Sequence, residues 1–433
     1  MYDLISVAVA LLAGLLMTRV FKLLRVSFPD VTAFLLAGLA IGPYGLGRLQ
    51  VPGLGFPDDA SIGRLSILST VALGFIAFAI GNEFRLSQLK KTGKQAAIIG
   101  VFQAVVAMVM VDIALILLHF ALGEAVLPLS AAITLGAIAA ATAPAATLMV
   151  VRQYKAKGPL TDLLLPIVAL DDAVGLVCFA VSFGIAQAML SGTVSAATVI
   201  LEPLLEIAGS LALGAVMGWL LTLLERLFFS NTNRLSLTIG FVLVTIALSS
   251  LRIDLGFAEL HFSALLVCMM LGTVFCNLCP RSGDIMSRAD KWTAPIYALF
   301  FVLSGAQLEL SVFRSVAVVG IGLLYILARS AGKYLGARVS AAATNCAPSI
   351  RRYLGITLLP QAGVALGMCT TAAALMGSYE GTLVRNIVLF GVLIYELVGP
   401  SLTRWALVRA GDVSPTPEEK KSYARFNTPK SSR

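Results

Sequence analysis

Apolar runs of about twenty residues recur along the whole chain, with the charge confined to short loops between them, and nothing else in the sequence restricts the fold as strongly. Backbone inside hydrocarbon must satisfy its N–H and C=O groups internally, so a run of this length crosses as a helix. The strict alternation of a membrane barrel is absent. Composition agrees: 58% of residues are hydrophobic and 13% charged, where soluble domains carry about 25% charged residues. No stretch of distinct composition interrupts the runs, so no separate soluble or nucleotide-binding domain is expected. The first run, "LISVAVALLAGLLMTRVFKLL", has no basic region before it and no small-residue cleavage site after it, and reads as a first span.

Thirteen segments are expected, at about 3–24, 31–46, 62–82, 95–119, 127–151, 159–190, 195–225, 233–251, 256–277, 292–310, 313–340, 350–376 and 382–408. Loop charge tests that count. Loops after odd-numbered spans, with the tail, hold 25 of the 32 lysines and arginines. Those after even-numbered spans hold only Arg48, Arg64, Arg252, Arg314 and Arg385, and Arg329 and Lys333 lie inside a span. Basic loops stay cytoplasmic, which puts the N-terminus outside and the C-terminus inside. The net charge of +9 needs no polyanionic partner on this account. The polar tail, 411–433, is expected to be disordered. "CNLC" at 276–279 has no second pair, and with two histidines in the chain it is read as packing thiols, not a metal or redox site.

Thirteen divides as six, one linker and six, so corresponding spans lie an odd number apart and face opposite ways. Span five, "TLGAIAAATAPAATLMV", and span twelve, "GITLLPQAGVALGM", correspond under that offset. Each is rich in small residues and carries a mid-span proline, Pro144 or Pro360. Proline removes a helical hydrogen bond, and such breaks persist in a bilayer where they line a cavity or are buried in protein. A lone kink needs no function; two at corresponding places predict crossing broken helices that offer their ends to an ion. Thr142 precedes one break and Gln361 sits at the other, each a candidate polar contact.

In "LPIVALDDAVGLVCFAVSFGIAQ" two aspartates, Asp171 and Asp172, stand about 18 Å along the sixth span. Each costs about 2.5–3.5 kcal/mol at mid-membrane, and buried acids there mark ion or proton pathways. Neighbouring residues project about 100° apart, so the pair is free to serve two partners. Span eleven supplies cations: Arg329, and Lys333 one turn later on the same face. The expected division is that one carboxylate pairs with Arg329 while the other stays free to alternate between a metal cation and a proton. Competition for one carboxyl group, with alternating access, is sufficient for exchange. Asp112 and Glu396 are read as structural, and Glu83, Asp58, Asp59, Glu202 and Glu206 as solvated charges.

Several strings together resemble the monovalent cation:proton antiporter superfamily, in particular its bacterial Kef-type and NapA-type exchangers: "FPDVTAFLLAGLAIGPYGLG", "GNEFRLSQLKKTGKQA", "ATAP", "ALDDAVGL", "LFFVLSGAQLEL" and "ARSAGKYLGA", in family order. The resemblance implies an all-α polytopic fold of the NhaA/NapA kind with six-helix inverted repeats, in the bacterial inner membrane, as a homodimer. It implies dimerisation helices in 1–94 and 233–312, core helices in 95–190 and 313–410, a linker helix in 191–232 and elevator motion of the core. Asp172 becomes the cation and proton carrier and Asp171 the partner of Arg329, a residue that stays protonated and so favours electroneutral exchange. No cofactor is expected beyond the transported Na+ or K+, with sodium placed ahead of potassium, and H+. Three other readings stand beside this one, among them a channel, which the repeat and the buried titratable pair match poorly. A sodium-coupled organic-anion symporter of similar fold needs no pair of acids facing its substrate. An intramembrane aspartyl protease needs two acids converging on one water, whereas these diverge on one helix.

Overall fold

The computed structural model of the chain describes residues 2–24, 29–51, 54–82, 84–191, 196–251, 253–254, 259–260, 262–308, 310, 313, 315–376 and 378–414. The expected tail beyond 414 and Glu83 lie outside these residues, as do the side chains of Asp59 and Glu202. The described chain is helical save for a two-residue antiparallel ladder, β1 (Ile253–Asp254) with β2 (Glu259–Leu260), in which Ile253 faces Leu260. The first helices are α1 (Tyr2–Leu23), α2 (Asp30–Ile41), α3 (Asp59–Gly63), α4 (Ser66–Asn82) and α5 (Leu86–Leu122). There follow α6 (Leu129–Ala139), α7 (Pro144–Gln153), α8 (Pro159–Ser191), α9 (Ala196–Glu225) and α10 (Asn231–Ser249). The remainder are α11 (Ala264–Leu278), α12 (Ser282–Ala306), α13 (Val316–Ala343), α14 (Pro348–Thr357), α15 (Gly363–Leu375) and α16 (Ser378–Ala410).

Among the described residues nine stretches are long and apolar enough to cross a membrane, and three shorter apolar helices accompany them, Ser66–Asn82, Ala264–Leu278 and Gly363–Ala373. Local chemistry moves several expected ends. The second segment stays helical only to Ile41, because Gly42 turns extended (φ −75°, ψ −174°) ahead of Pro43, as a residue before proline prefers. Helix α5 starts at Leu86, before the expected 95, because "LSQLKKTGKQ" is polar yet made largely of strong helix formers. Helix α11 starts later than expected, at Ala264, where the Ser263 hydroxyl accepts from the Leu266 N–H at 3.4 Å.

Helices pack through small residues, the usual means where lipid is as apolar as leucine. A Cβ on Gly38 of α2 would stand 1.9 Å from the Val302 carbonyl oxygen of α12, so only glycine permits that approach. Two apolar clusters result. One gathers Phe34, Phe75 and Phe275 with Val150, Ile167, Ala341, Leu354 and Leu407. The other gathers Leu135, Phe179, Tyr325, Ala365 and Val388. Helices α5, α8, α13 and α16 run through both clusters, and the pairs α6–α7 and α14–α15 put one member in each. Between the clusters lies a seam holding Gln103, Thr142, Asp171, Asp172, Arg329, Lys333, Gln361 and Glu396, all buried. At one end of the bundle Asp412 fastens the close of α16 to the start of α8. Its carboxylate accepts from both the backbone N–H and the hydroxyl of Thr161 at 2.7 Å, and its carbonyl accepts from the Lys157 N–H at 2.9 Å.

Candidate functional site

The two mid-span prolines sit where the backbone leaves the helix. Ala139 ends α6, residues 141–143 are non-helical, and Pro144 opens α7 as its first residue, a position where the missing N–H costs nothing. In the other pair α14 ends at Thr357, Pro360 and Gln361 lie in the non-helical stretch, and Gly363 opens α15. The two breaks touch: the Ala143 N–H donates to the Pro360 carbonyl at 2.8 Å, and Gln361 Nε2 donates to the Ile138 carbonyl at 3.0 Å. Gln361 Nε2 also reaches the Tyr325 hydroxyl at 2.8 Å.

Each break leaves carbonyls without helical partners at a negative helix end, and span eleven supplies the cations that answer them. Arg329 donates through Nε to the Ala139 carbonyl at 3.0 Å, through Nη2 to Ala141 at 2.6 Å and through Nη1 to Leu359 at 2.7 Å. Its guanidinium also lies 4.6 Å from the centre of the Tyr395 ring. The expected pairing of Arg329 with Asp171 is therefore corrected. A planar fork of five N–H groups suits several carbonyls at once, and Arg329 is spent on three of them. Lys333, one turn away, takes the aspartate: its Nζ lies 3.0 Å from Asp171 Oδ2 and 2.6 Å from the Ala140 carbonyl, with both side chains fully buried. Close approach of α13 to α5 sets this level, since a Cβ on Gly332 would fall 2.6 Å from Ala107 Cα.

Asp171 is fully satisfied. Besides Lys333 it accepts from the Thr142 hydroxyl at 2.6 Å and from Gln103 Nε2. The Thr142 hydroxyl lies 3.2 Å from the Leu358 carbonyl as well, joining the two breaks a third time. Gln103, a lone glutamine in the apolar run "GVFQAVVAMV", was not among the expected site residues; its signal is that uncharged but strongly polar amide in mid-span. Asp172 differs. It is 1% exposed, yet among the described residues neither carboxylate oxygen has a hydrogen-bond partner. Adjacent positions diverge by about 100° on a helix, so the side chain next to Asp171 misses Lys333, Thr142 and Gln103 altogether. A carboxylate left so is costly, and it offers oxygen atoms suited to a hard cation or a proton.

A cavity of about 1040 Å³ enters between α7, α8 and α12 at the end carrying Arg152, Lys155 and Lys157. It reaches Pro166, within about 9 Å of Asp172 along the helix. Arg152 of α7 and Asp290 of α12 pair across it at 2.5 Å. No cluster of three metal-ligating side chains occurs among the described residues, and the six cysteines are free thiols.

A buried ion pair and an unpaired carboxylate at the crossing of two broken helices define an ion-translocating membrane protein. The sodium/hydrogen exchanger transmembrane family matches residues 7–409, and the chain belongs to it. It is a multi-pass membrane cation:proton antiporter, a secondary transporter and not an enzyme. A relative, the K(+)/H(+) antiporter subunit KhtU of Bacillus subtilis (strain 168), is 22% identical over 390 residues, 88% of each chain. The fold matches the sodium proton antiporter MjNhaP1 of Methanocaldococcus jannaschii. The structure of that protein at pH 8 aligns with TM-score 0.70 at 20% identity, over 95% of this chain and 99% of the other. Its electron-microscopy map aligns with TM-score 0.73 at 19% identity, over 95% and 98%.

Proposed function

We propose that the chain exchanges a monovalent cation for protons by alternate occupancy of Asp172. The observation that carries this reading is the contrast between neighbours: among the described residues Asp171 has three donors and Asp172 has none, although both are buried. Asp171, Thr142, Gln103 and Lys333 hold the crossing together, and Asp172 carries the cargo. Because lysine can release a proton and arginine cannot, the pairing of Asp171 with Lys333 removes the argument for electroneutral exchange that rested on Arg329.

The same reading takes the chain to cross thirteen times, in two inverted six-helix repeats joined by α9, as a homodimer in the bacterial inner membrane with its N-terminus outside. The broken pairs α6–α7 and α14–α15, meeting backbone to backbone, support the repeat. The core, built of α5–α8 and α13–α16, would move as an elevator against α1–α4 and α10–α12. Arg152–Asp290, which spans the two groups, would then open and close with that movement. Sodium is the first expected cargo, in keeping with the family. Potassium is the second reading, favoured by the Bacillus subtilis relative.

The test is a vesicle assay. With an imposed pH gradient, sodium or potassium added separately dissipates the gradient in the parent protein, and Asp172→Asn abolishes the response. Normal exchange by that variant overturns the assignment.

A further inference from the structure

The seam holds one more acid, for which the scheme above has no use. Glu396 of α16 is 4% exposed, and no described residue donates to its carboxylate. Its position is fixed by its neighbours. The adjacent Tyr395 donates its hydroxyl to the Ile326 carbonyl at 2.8 Å, and one turn on, a Cβ on Gly399 would stand 3.1 Å from Pro360 at the break.

Glu396 lines a cavity of about 290 Å³ with Gly63, Ser304, Gln307, Cys369 and Arg385. This cavity and the larger one approach the seam from opposite ends. On α12 the larger is lined by Ser287 and Asp290 and the smaller by Ser304 and Gln307, about 25 Å apart at 1.5 Å per residue. The smaller therefore faces the end with few basic residues, which the orientation above makes the outer face. Ser304 belongs to α12, Gln307 caps its end and Glu396 belongs to α16, so the walls come from both of the groups that the elevator would move. A hydroxyl, an amide carbonyl and a carboxylate are oxygen ligands suited to a hard cation and poor ones for a soft metal.

We infer that Glu396, with Ser304 and Gln307, forms a second monovalent-cation site that loads cargo from the outer face before it reaches Asp172. This rests on Asp172 as the transport site. Relative movement of α12 and α16 would assemble or split the outer site, so that it loads in one state alone.

Sidedness provides the test. Initial exchange rates are measured against Na+, and separately against K+, in right-side-out vesicles that expose the outer face and in everted vesicles that expose the cytoplasmic face. Glu396→Gln is expected to raise the apparent KM at the outer face at least about fivefold and to leave the cytoplasmic KM within about twofold. Glu396→Asp, which keeps the carboxylate, should remain near the parent protein. An unchanged outer KM, or equal change on both faces, overturns the inference. Should Glu396→Gln fail to fold, Gln307→Glu adds a second acid to the same cavity and must lower the outer KM; no change overturns the inference equally. Asp172→Asn in the same vesicles keeps the two readings apart. Loss of exchange on both faces upholds the transport site, and normal exchange removes that site whatever Glu396→Gln does.

Discussion

Replacing Lys333 by methionine keeps most of the side-chain volume and removes only the ammonium. What is lost is its 3.0 Å contact with Asp171 and its 2.6 Å bond to the Ala140 carbonyl, both fully buried. Stripping one partner from a buried pair costs about 3–5 kcal/mol, because the other charge stays uncompensated. Asp171 retains Thr142 and Gln103 as donors, which places Lys333→Met at the lower end, about 3 kcal/mol. For a chain of this size each kcal/mol moves the melting midpoint by about 1 °C, giving a fall of roughly 3 °C. Adding Asp171→Asn removes the stranded charge, and replacement of a whole buried pair is often close to neutral. The double variant should therefore recover most of the loss, with a coupling of about 2 kcal/mol. The assay is thermal unfolding of the four detergent-solubilised proteins at one fixed scan rate, since membrane proteins of this size unfold irreversibly. A double variant that loses the sum of the two single losses would refute the pairing.

Three further outcomes follow from the same geometry. Thr142→Ala removes the 2.6 Å bond to Asp171 and the contact with the Leu358 carbonyl, costing about 1–3 kcal/mol; thermal unfolding should register it and Thr142→Ser should restore it. Arg329→Lys cannot reach three carbonyls with one ammonium, so a loss of about 2–3 kcal/mol and a lower yield of folded protein are expected, measured by size-exclusion chromatography. Competition at Asp172 fixes the sign of the pH effect. As pH rises the competing proton becomes scarcer, so the apparent KM for the cation should fall, by up to tenfold per pH unit where the proton is the dominant occupant. A KM constant between about pH 6 and 8 would speak against a shared site.

Much of this site could be read from residue order. Apolar runs and basic loops announce a helical membrane protein, Asp171 and Asp172 announce a buried pathway, and Pro144 and Pro360 lie at the observed breaks because proline has no N–H to give a helix interior. Which cation meets Asp171 could not be read. Arg329 and Lys333 share one face a turn apart, and the choice depends on how far α13 slides along α8, a level set by the approach of Gly332 to α5. Gln103 escaped notice because an amide in an apolar run carries no charge to mark it. Glu396 reads as structural from sequence, which cannot show that it borders a cavity.

Cation-driven proton release tests the central claim most directly. A carboxyl group that holds either a proton or a metal ion must give up the first on taking the second. Purified protein in weakly buffered detergent should acidify the medium when sodium or potassium chloride is added, by up to about one proton per chain. The same addition to Asp172→Asn, shown to be folded by its unfolding curve, should release none. Release of the same number of protons by that variant would contradict the account.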